Sequence, residues 1–172
     1  DLGSITANGS AVSASTVKSV NPVSAPLTLT ATPSRGYTFV CFKDEHNRIV
    51  APTYYPGVGY DAETNTSISA NTTVTPLFLD ASTPAFQVGS KVFTDLNAAG
   101  IEAAVSGKHI VVIKDGTVPA GEYHIAAGSK LVVPFDDIFT TYTACPEVVY
   151  SHTTPSAYRT LTLASGANIV VD

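Results

Sequence analysis

"IAAGSKLVV" (Ile125–Val133) and "LASGANIVV" (Leu163–Val171) are one phrase written twice. Ile125 aligns with Leu163, Gly128 with Gly166, Leu131 with Ile169, and Val132-Val133 with Val170-Val171, each pair 38 residues apart. Each copy reads as a strand, an Ala/Gly corner and a second strand. Glycine at the corner admits the positive φ of a sharp turn. A repeat at fixed offset is the mark of a solenoid, whose layers bury their apolar residues on one another. The spacing therefore predicts that Leu131 stacks on Ile169, with Val133 and Val171 alongside. A coil is ordinarily shorter than this repeat. The excess is expected in residues 135–159, rich in Thr, Pro and Tyr and read as a loop leaving the coil.

The neighbouring stretches agree. "HIVVIKDG" (His109–Gly116), "GEYHI" (Gly121–Ile125), "KLVVPF" (Lys130–Phe135), "RTLTL" (Arg159–Leu163) and "NIVV" (Asn168–Val171) are short strand candidates. Strands this short, several of them apolar on both faces, indicate burial in a parallel sheet or a solenoid. The single helix candidate precedes them, in "FTDLNAAGIEAAVSGK" (Phe93–Lys108). Thr94 or Asp95 is placed to cap its start. Leu96, Ala99 and Ala103 fall on one face, and Gly107 suits a left-handed stop. Gly100 inside the helix costs about 1 kcal/mol relative to Ala.

The first half is a series of short strands between turns. "PLTLTATP" alternates at Leu27 and Leu29. "GYTFVCF" sets Tyr37, Phe39 and Cys41 on one face and Thr38, Val40 and Phe42 on the other. "DEHNR" (Asp44–Arg48) is a polar turn, and "TTVTPLFLD" (Thr72–Asp80) closes the set, with Pro76 marking an edge or a bulge. "DASTPAFQVGSK" (Asp80–Lys91) reads as a linker ordered only in part. The resulting division is a small β domain over 1–80, a linker over 81–92, and a helix-capped β region over 93–172.

Composition narrows the function classes. Of 172 residues, 44% are hydrophobic and only 13% charged. That is too apolar for disorder and suits a secreted or surface-displayed β protein. A net charge of −5, with nine scattered Lys+Arg, argues against nucleic acid. No apolar run is long enough to span a membrane as a helix. The chain contains no Met, even at position 1. That is expected of a processed or excised chain, and removal of a signal peptide would place it outside the cytoplasm. Two cysteines, Cys41 and Cys145, fit either a disulfide joining the halves or two buried thiols. A bridge closing a loop of roughly 100 residues contributes about 4–5 kcal/mol by loop entropy.

Two stretches resemble known families. "LTLTATPSRGYTFVCFKDEHNRIV" with "NTTVTPLFLD" resembles the InlB B-repeat, a β-grasp-like surface module of Gram-positive bacteria. Gly36, Tyr37, Phe39, Thr73, Val74 and Phe78 carry the likeness, Phe42 stands where the family has Trp, and Cys41 replaces a small residue. Residues 89–137 with "YRTLTLASGANIVVD" are similar to the start of pectin-lyase-like right-handed parallel β-helices in Gram-positive surface proteins. There an amphipathic helix caps the first coil. Tyr123, Ile125, Gly128, Leu131, Val133 and Pro134 match the family motif, and Gly100 departs from the usual helix. The InlB B-repeat resemblance implies a surface module without catalysis.

Candidate sites are few. The assembly residues are Leu131, Val133, Ile169 and Val171, stacking coils within one chain or between copies. Tyr54, Tyr55 and Tyr60 in "PTYYPGVGY" are candidates for stacking on sugar rings, or else pack a loop over the β domain. His109 and His124 are candidates for neighbours across adjacent strands, but no metal set is evident, and no cofactor is expected. Asp136-Asp137 reads as a solvated turn, with Ca²⁺ binding or an acid pair as the alternatives. Asn8, Asn65 and Asn71 fit the N-glycosylation pattern without being expected to carry glycan. The expected function is a non-catalytic extracellular stalk, adhesin segment or self-assembling fibre subunit. Its partners are other copies, the rest of a longer chain, or host or cell-wall glycans. The alternatives are a glycan-binding module, or the front of a polysaccharide-degrading β-helix enzyme.

Overall fold

The structure is a computed structural model that describes residues 2–12, 27–49, 73–133, 138–144, 149–153 and 159–172. Among them the chain is mostly β, with small sheets, none closed, and one helix. The strands in chain order begin with β1 (Gly3–Ala7), β2 (Ser10–Val12), β3 (Leu27–Pro33), β4 (Tyr37–Lys43) and β5 (Thr75–Asp80). Then come β6 (Ala85–Val88), β7 (Lys91–Phe93) and helix α1 (Leu96–Ser106). They are followed by β8 (Ile110–Lys114), β9 (Gly116–Val118), β10 (Gly121–Ile125) and β11 (Leu131–Val132). Last are β12 (Ile138–Ala144), β13 (Val149–Thr153), β14 (Leu161–Leu163) and β15 (Ala167–Val171). The described residues fall into two compact units. The first holds 2–12, 27–49, 73–80, 138–144 and 149–153, and the second holds 81–133 and 159–172.

In the first unit β1 and β2 form a hairpin turned by Asn8 (φ 49°) and Gly9 (φ 76°), with Ala7 opposite Ser10. Asn-Gly at two positive-φ positions is the strongest short hairpin signal, because that turn matches the twist of the strands it joins. β1 also pairs antiparallel with β3, and β4 with β5. The expected alternation along β4 breaks at a bulge between Phe39 and Cys41, so that Cys41 and Phe42 are both buried. The core is Ala7, Leu29, Ala31, Phe42 and Phe78. Phe39 tilts against Phe42 and Phe78 with ring centroids 4.9 and 5.8 Å apart.

Two expectations fail here. Residues 135–159 were expected to form a loop. Instead β12 and β13 form an antiparallel hairpin within that stretch, and β12 pairs with β3, giving the order β13-β12-β3-β1-β2. The linker expected at 81–92 instead holds β6, buried throughout, and β7. Gln87 hid β6, because a polar residue in mid-strand breaks the apolar reading. It is fully buried, and its Nε2 donates to Gly89 O at 2.8 Å.

In the second unit α1 starts as expected. Asp95 accepts from the N–H groups of Asn97 and Ala98, and Gly107 closes the helix at φ 69°. Leu96, Ala99, Gly100 and Ala103 face inward. Then β8, β9 and β10 are each joined, in the same order and all parallel, by β11, β14 and β15. The paired residues include Ile110 with Leu131, Val118 with Leu163, Tyr123 with Ile169 and Ile125 with Val171. The core is built from Phe86, Val88, Leu96, Ala99, Ala103, Ile110, Val112, Val118, Tyr123 and Ile125.

This register corrects the reading of the repeat. Leu131 does not stack on Ile169. Its partner is Ile110, 21 positions earlier, and the partner of Ile169 is Tyr123, 46 positions earlier. What the sequence repeats is a corner. Gly128 and Gly166 both have φ 85°, and in each corner an N–H reaches back three residues at 2.9 Å, Ser129 to Ala126 O and Ala167 to Ala164 O. The corners are alike but successive. One joins β10 to β11 and the other joins β14 to β15.

Candidate functional site

The six parallel strands have two edges, and the chain treats them differently. In a parallel ladder alternate residues direct their N–H and C=O groups to opposite neighbours. On β10, Gly121 N–H donates to Gly166 O, and Asp172 N–H donates to Ile125 O, each at 3.0 Å. The odd-numbered residues thus serve β15, and the carbonyls of Glu122 and His124 face the other way. That other edge is covered by α1. Its Gly100 lies so close that a Cβ there would sit 2.7 Å from His124 O. The edge of β9 away from β14 is covered by 82–84. Thr117 N–H donates to Ser82 O at 2.8 Å, and Gly116 lies directly against Pro84. The edge of β8 away from β11 is covered by β6. The first three strands are therefore sealed by their own chain on all three edges.

The second three strands are not. Among the described residues, β11, β14 and β15 are each terminal in their sheets. The backbone groups of Ile169 and Val171 point outward by the same alternation. Burial follows the register. Val118 is 1% exposed and its partner Leu163 46%, while Ile125 is 2% exposed and its partner Val171 70%. Ile110 and Tyr123 are buried, whereas Leu131 and Ile169 are half-buried. A column of apolar side chains thus runs through both layers and stops uncovered at the second. The expected assembly residues Leu131, Val133, Ile169 and Val171 all lie in or beside this second layer, and Val133 is 39% exposed.

A charged cluster flanks the open edge. His124 on β10 holds Asp172 Oδ1 at 3.1 Å through Nδ1 and Glu122 Oε1 at 3.0 Å through Nε2. The hydrogen bond to Asp172, then that to Glu122, raises the His124 pKa above its ordinary 6.5. His124 therefore meets two carboxylates, and the expected pairing with His109 is not what engages its ring nitrogens.

The other candidates resolve differently. The polar turn at Asp44–Arg48 forms as expected. Asp44 Oδ1 accepts from His46 N–H at 2.9 Å and Arg48 N–H at 2.8 Å, and Oδ2 accepts from Arg48 Nε at 2.6 Å. Burial pushes the Asp44 pKa up, but these bonds and the guanidinium charge outweigh it and hold the carboxyl below its ordinary value. Asp44, Glu45 and His46 have ligand atoms within 4.8 Å of one another, yet Asp44 is spent on its own turn. Cys41 is a free thiol, so the disulfide reading does not hold for it, and burial pushes its pKa to about 12. Tyr54, Tyr55, Tyr60, Asp136, Asp137 and Cys145 lie outside the described residues. An apolar cleft of about 200 Å³ is lined by Pro84, Phe86, Thr94, Asp95, Leu96, Val118 and Pro119. Its one ionisable group, Asp95, is occupied as the helix cap. No helix among the described residues is long and apolar enough to cross a membrane.

The sequence reading missed the seal. Gly100 was read as a cost to the helix, when its missing side chain is what admits the His124 carbonyl. Comparisons with protein families, with curated proteins and with solved structures gave no match.

Proposed function

We propose that this chain is a non-catalytic structural segment of an extracellular bacterial surface protein. Its second unit is the capped start of a parallel β-helix, and its first unit is an InlB-repeat-like β module. The observation that carries the reading is the continuous apolar column from Ile110, Val118, Tyr123 and Ile125 to Leu131, Leu163, Ile169 and Val171, sealed at one end and open at the other. Solenoid layers gain stability from their neighbours and need a cap where the stack ends. Here α1, residues 82–84 and β6 supply one cap, and the second layer serves as the template for more. A stalk is favoured over a head-to-tail fibre in which β8, β9 and β10 pair with a following copy, because among the described residues their outer edges are covered by β6, residues 82–84 and α1. The test is protease shaving of intact producing cells. Release of peptides from residues 81–172 is expected. Recovery of the protein only from the cytosolic fraction contradicts the reading.

A further inference from the structure

His124 on β10 is held from both sides. Its Nδ1 lies 3.1 Å from Oδ1 of Asp172, which follows β15, and its Nε2 lies 3.0 Å from Oε1 of Glu122 on its own strand. We propose that these three side chains form a proton-operated latch between the first layer and the second, closed in acid and released as the pH rises. The proposal rests on the pairing of β10 with β15 and is independent of the surface-protein reading.

Hydrogen-bonding capacity decides the charge state. An ionised carboxylate only accepts, and a neutral imidazole has one N–H and one bare nitrogen. A ring with a carboxylate oxygen on each nitrogen therefore fills both contacts only as the imidazolium. Losing the proton sets a lone pair against one carboxylate and removes the positive charge that stands between two negative ones. Glu122 shares a strand with His124, so the contact that joins the layers is the one to Asp172. The same Asp172 donates its backbone N–H to Ile125 O at 3.0 Å, so the latch guards the neighbouring ladder bond. β10 packs against β15 and α1. β15 carries no titratable side chain of its own. On α1 the titratable group is Glu102, which Lys91 Nζ holds at 2.9 and 3.0 Å, and Asp95 before it caps the helix. Tyr123, the third titratable group of β10, is buried, with its hydroxyl donating to Pro119 O at 2.9 Å. Among the described residues, Asp172 and then Glu122 are thus the charged groups that act on the ring, and both raise its pKa above 6.5. A raised pKa means that the latch is complete below 6.5 and weakens as the pH climbs through the folded value. All three side chains are more than half exposed, so screening by water keeps the effect small.

The experiment measures solvent exchange of the Asp172 amide by NMR in the intact chain at about pH 5.5 and about pH 8, each rate referred to that of an unstructured peptide at the same pH. The wild type is expected to lose about two- to five-fold in protection across this interval. His124→Gln and Asp172→Asn are expected to hold one value. Both positions are exposed, so both variants are expected to keep the wild-type circular dichroism spectrum. Equal protection at the two pH values in the wild type overturns the proposal. So does a loss that persists in His124→Gln, because another group is then titrating. A parallel loss at Ile110 and Val112 on buried β8 marks loosening of the whole unit and overturns it as well.

Discussion

Ile125 and Val171 are partners in one parallel pair, yet Ile125 is 2% exposed and Val171 70%. Same-register positions in adjacent layers thus sit in opposite environments, which makes the pair a direct probe of where the covered stack ends. Truncating a buried Ile to Ala costs about 2–5 kcal/mol, while a change at an exposed position away from special features stays within about 0.5 kcal/mol. Ile125→Ala is therefore expected to lower the denaturation midpoint strongly, and Val171→Ala hardly at all. Urea titration of both variants checks this, and equal losses would show that Val171 is covered.

Gly100→Ala is expected to destabilise. In an open helix the change gains about 1 kcal/mol of helix propensity. Here the new Cβ would lie 2.7 Å from the His124 carbonyl, a backbone atom that cannot swing aside. Overpacking of this kind costs about 1–3 kcal/mol, so the sign reverses. Thermal unfolding of the variant decides it, and a rise in Tm would mean that α1 does not press on β10.

Asp44 predicts acid sensitivity of the first unit. Its folded pKa lies below the ordinary 3.8, so its contribution is complete above that value and is lost as pH falls through the folded pKa. Asp44→Ala is expected to cost about 1–3 kcal/mol near neutrality, through loss of the part-buried bonds from His46 N–H, Arg48 N–H and Arg48 Nε to its carboxylate. The gap between variant and wild type should shrink below about pH 4. Urea titrations at pH 7 and pH 3 measure it, and a constant gap would remove the carboxylate from the account.

His124 predicts the opposite pH dependence. Its folded pKa is raised, so the contribution of the imidazolium is fully present below 6.5 and fades as pH rises through the folded pKa. Proton NMR titration should place the His124 midpoint above 6.5, and Asp172→Asn should bring it down. A midpoint that Asp172→Asn leaves unmoved would mean that the Asp172 contact is not made in solution.

Much of this was legible in the residues. The helix with its Asp95 and Gly107 caps, the turn at Asp44–Arg48 and the corner glycines were all marked by side chains whose role is local. The layer register was not. Both corners carry the same local signal, while their pairing depends on the 21 positions from Ile110 to Leu131, a period that the excursion through β12 and β13 conceals in the second layer. That hairpin pairs with β3, more than a hundred residues earlier in the chain, and no local pattern reports such a contact. The bulge at Phe39/Cys41 defeated strict alternation for the same reason, since it is set by the partner strand. The Asn8-Gly9 turn was present in the sequence but was read only as a glycosylation pattern.

The central claim is the register of the second layer on the first, and cross-linking measures it most directly. Cysteines placed at Glu122 and Asn168 are Cα partners in the parallel pair. Oxidation of the Glu122→Cys, Asn168→Cys variant, with peptide mapping of the new bridge, should join 122 to 168 in high yield. The Lys130→Cys, Asn168→Cys variant, which matches the 38-residue sequence repeat, should stay open. The reverse outcome would contradict the account.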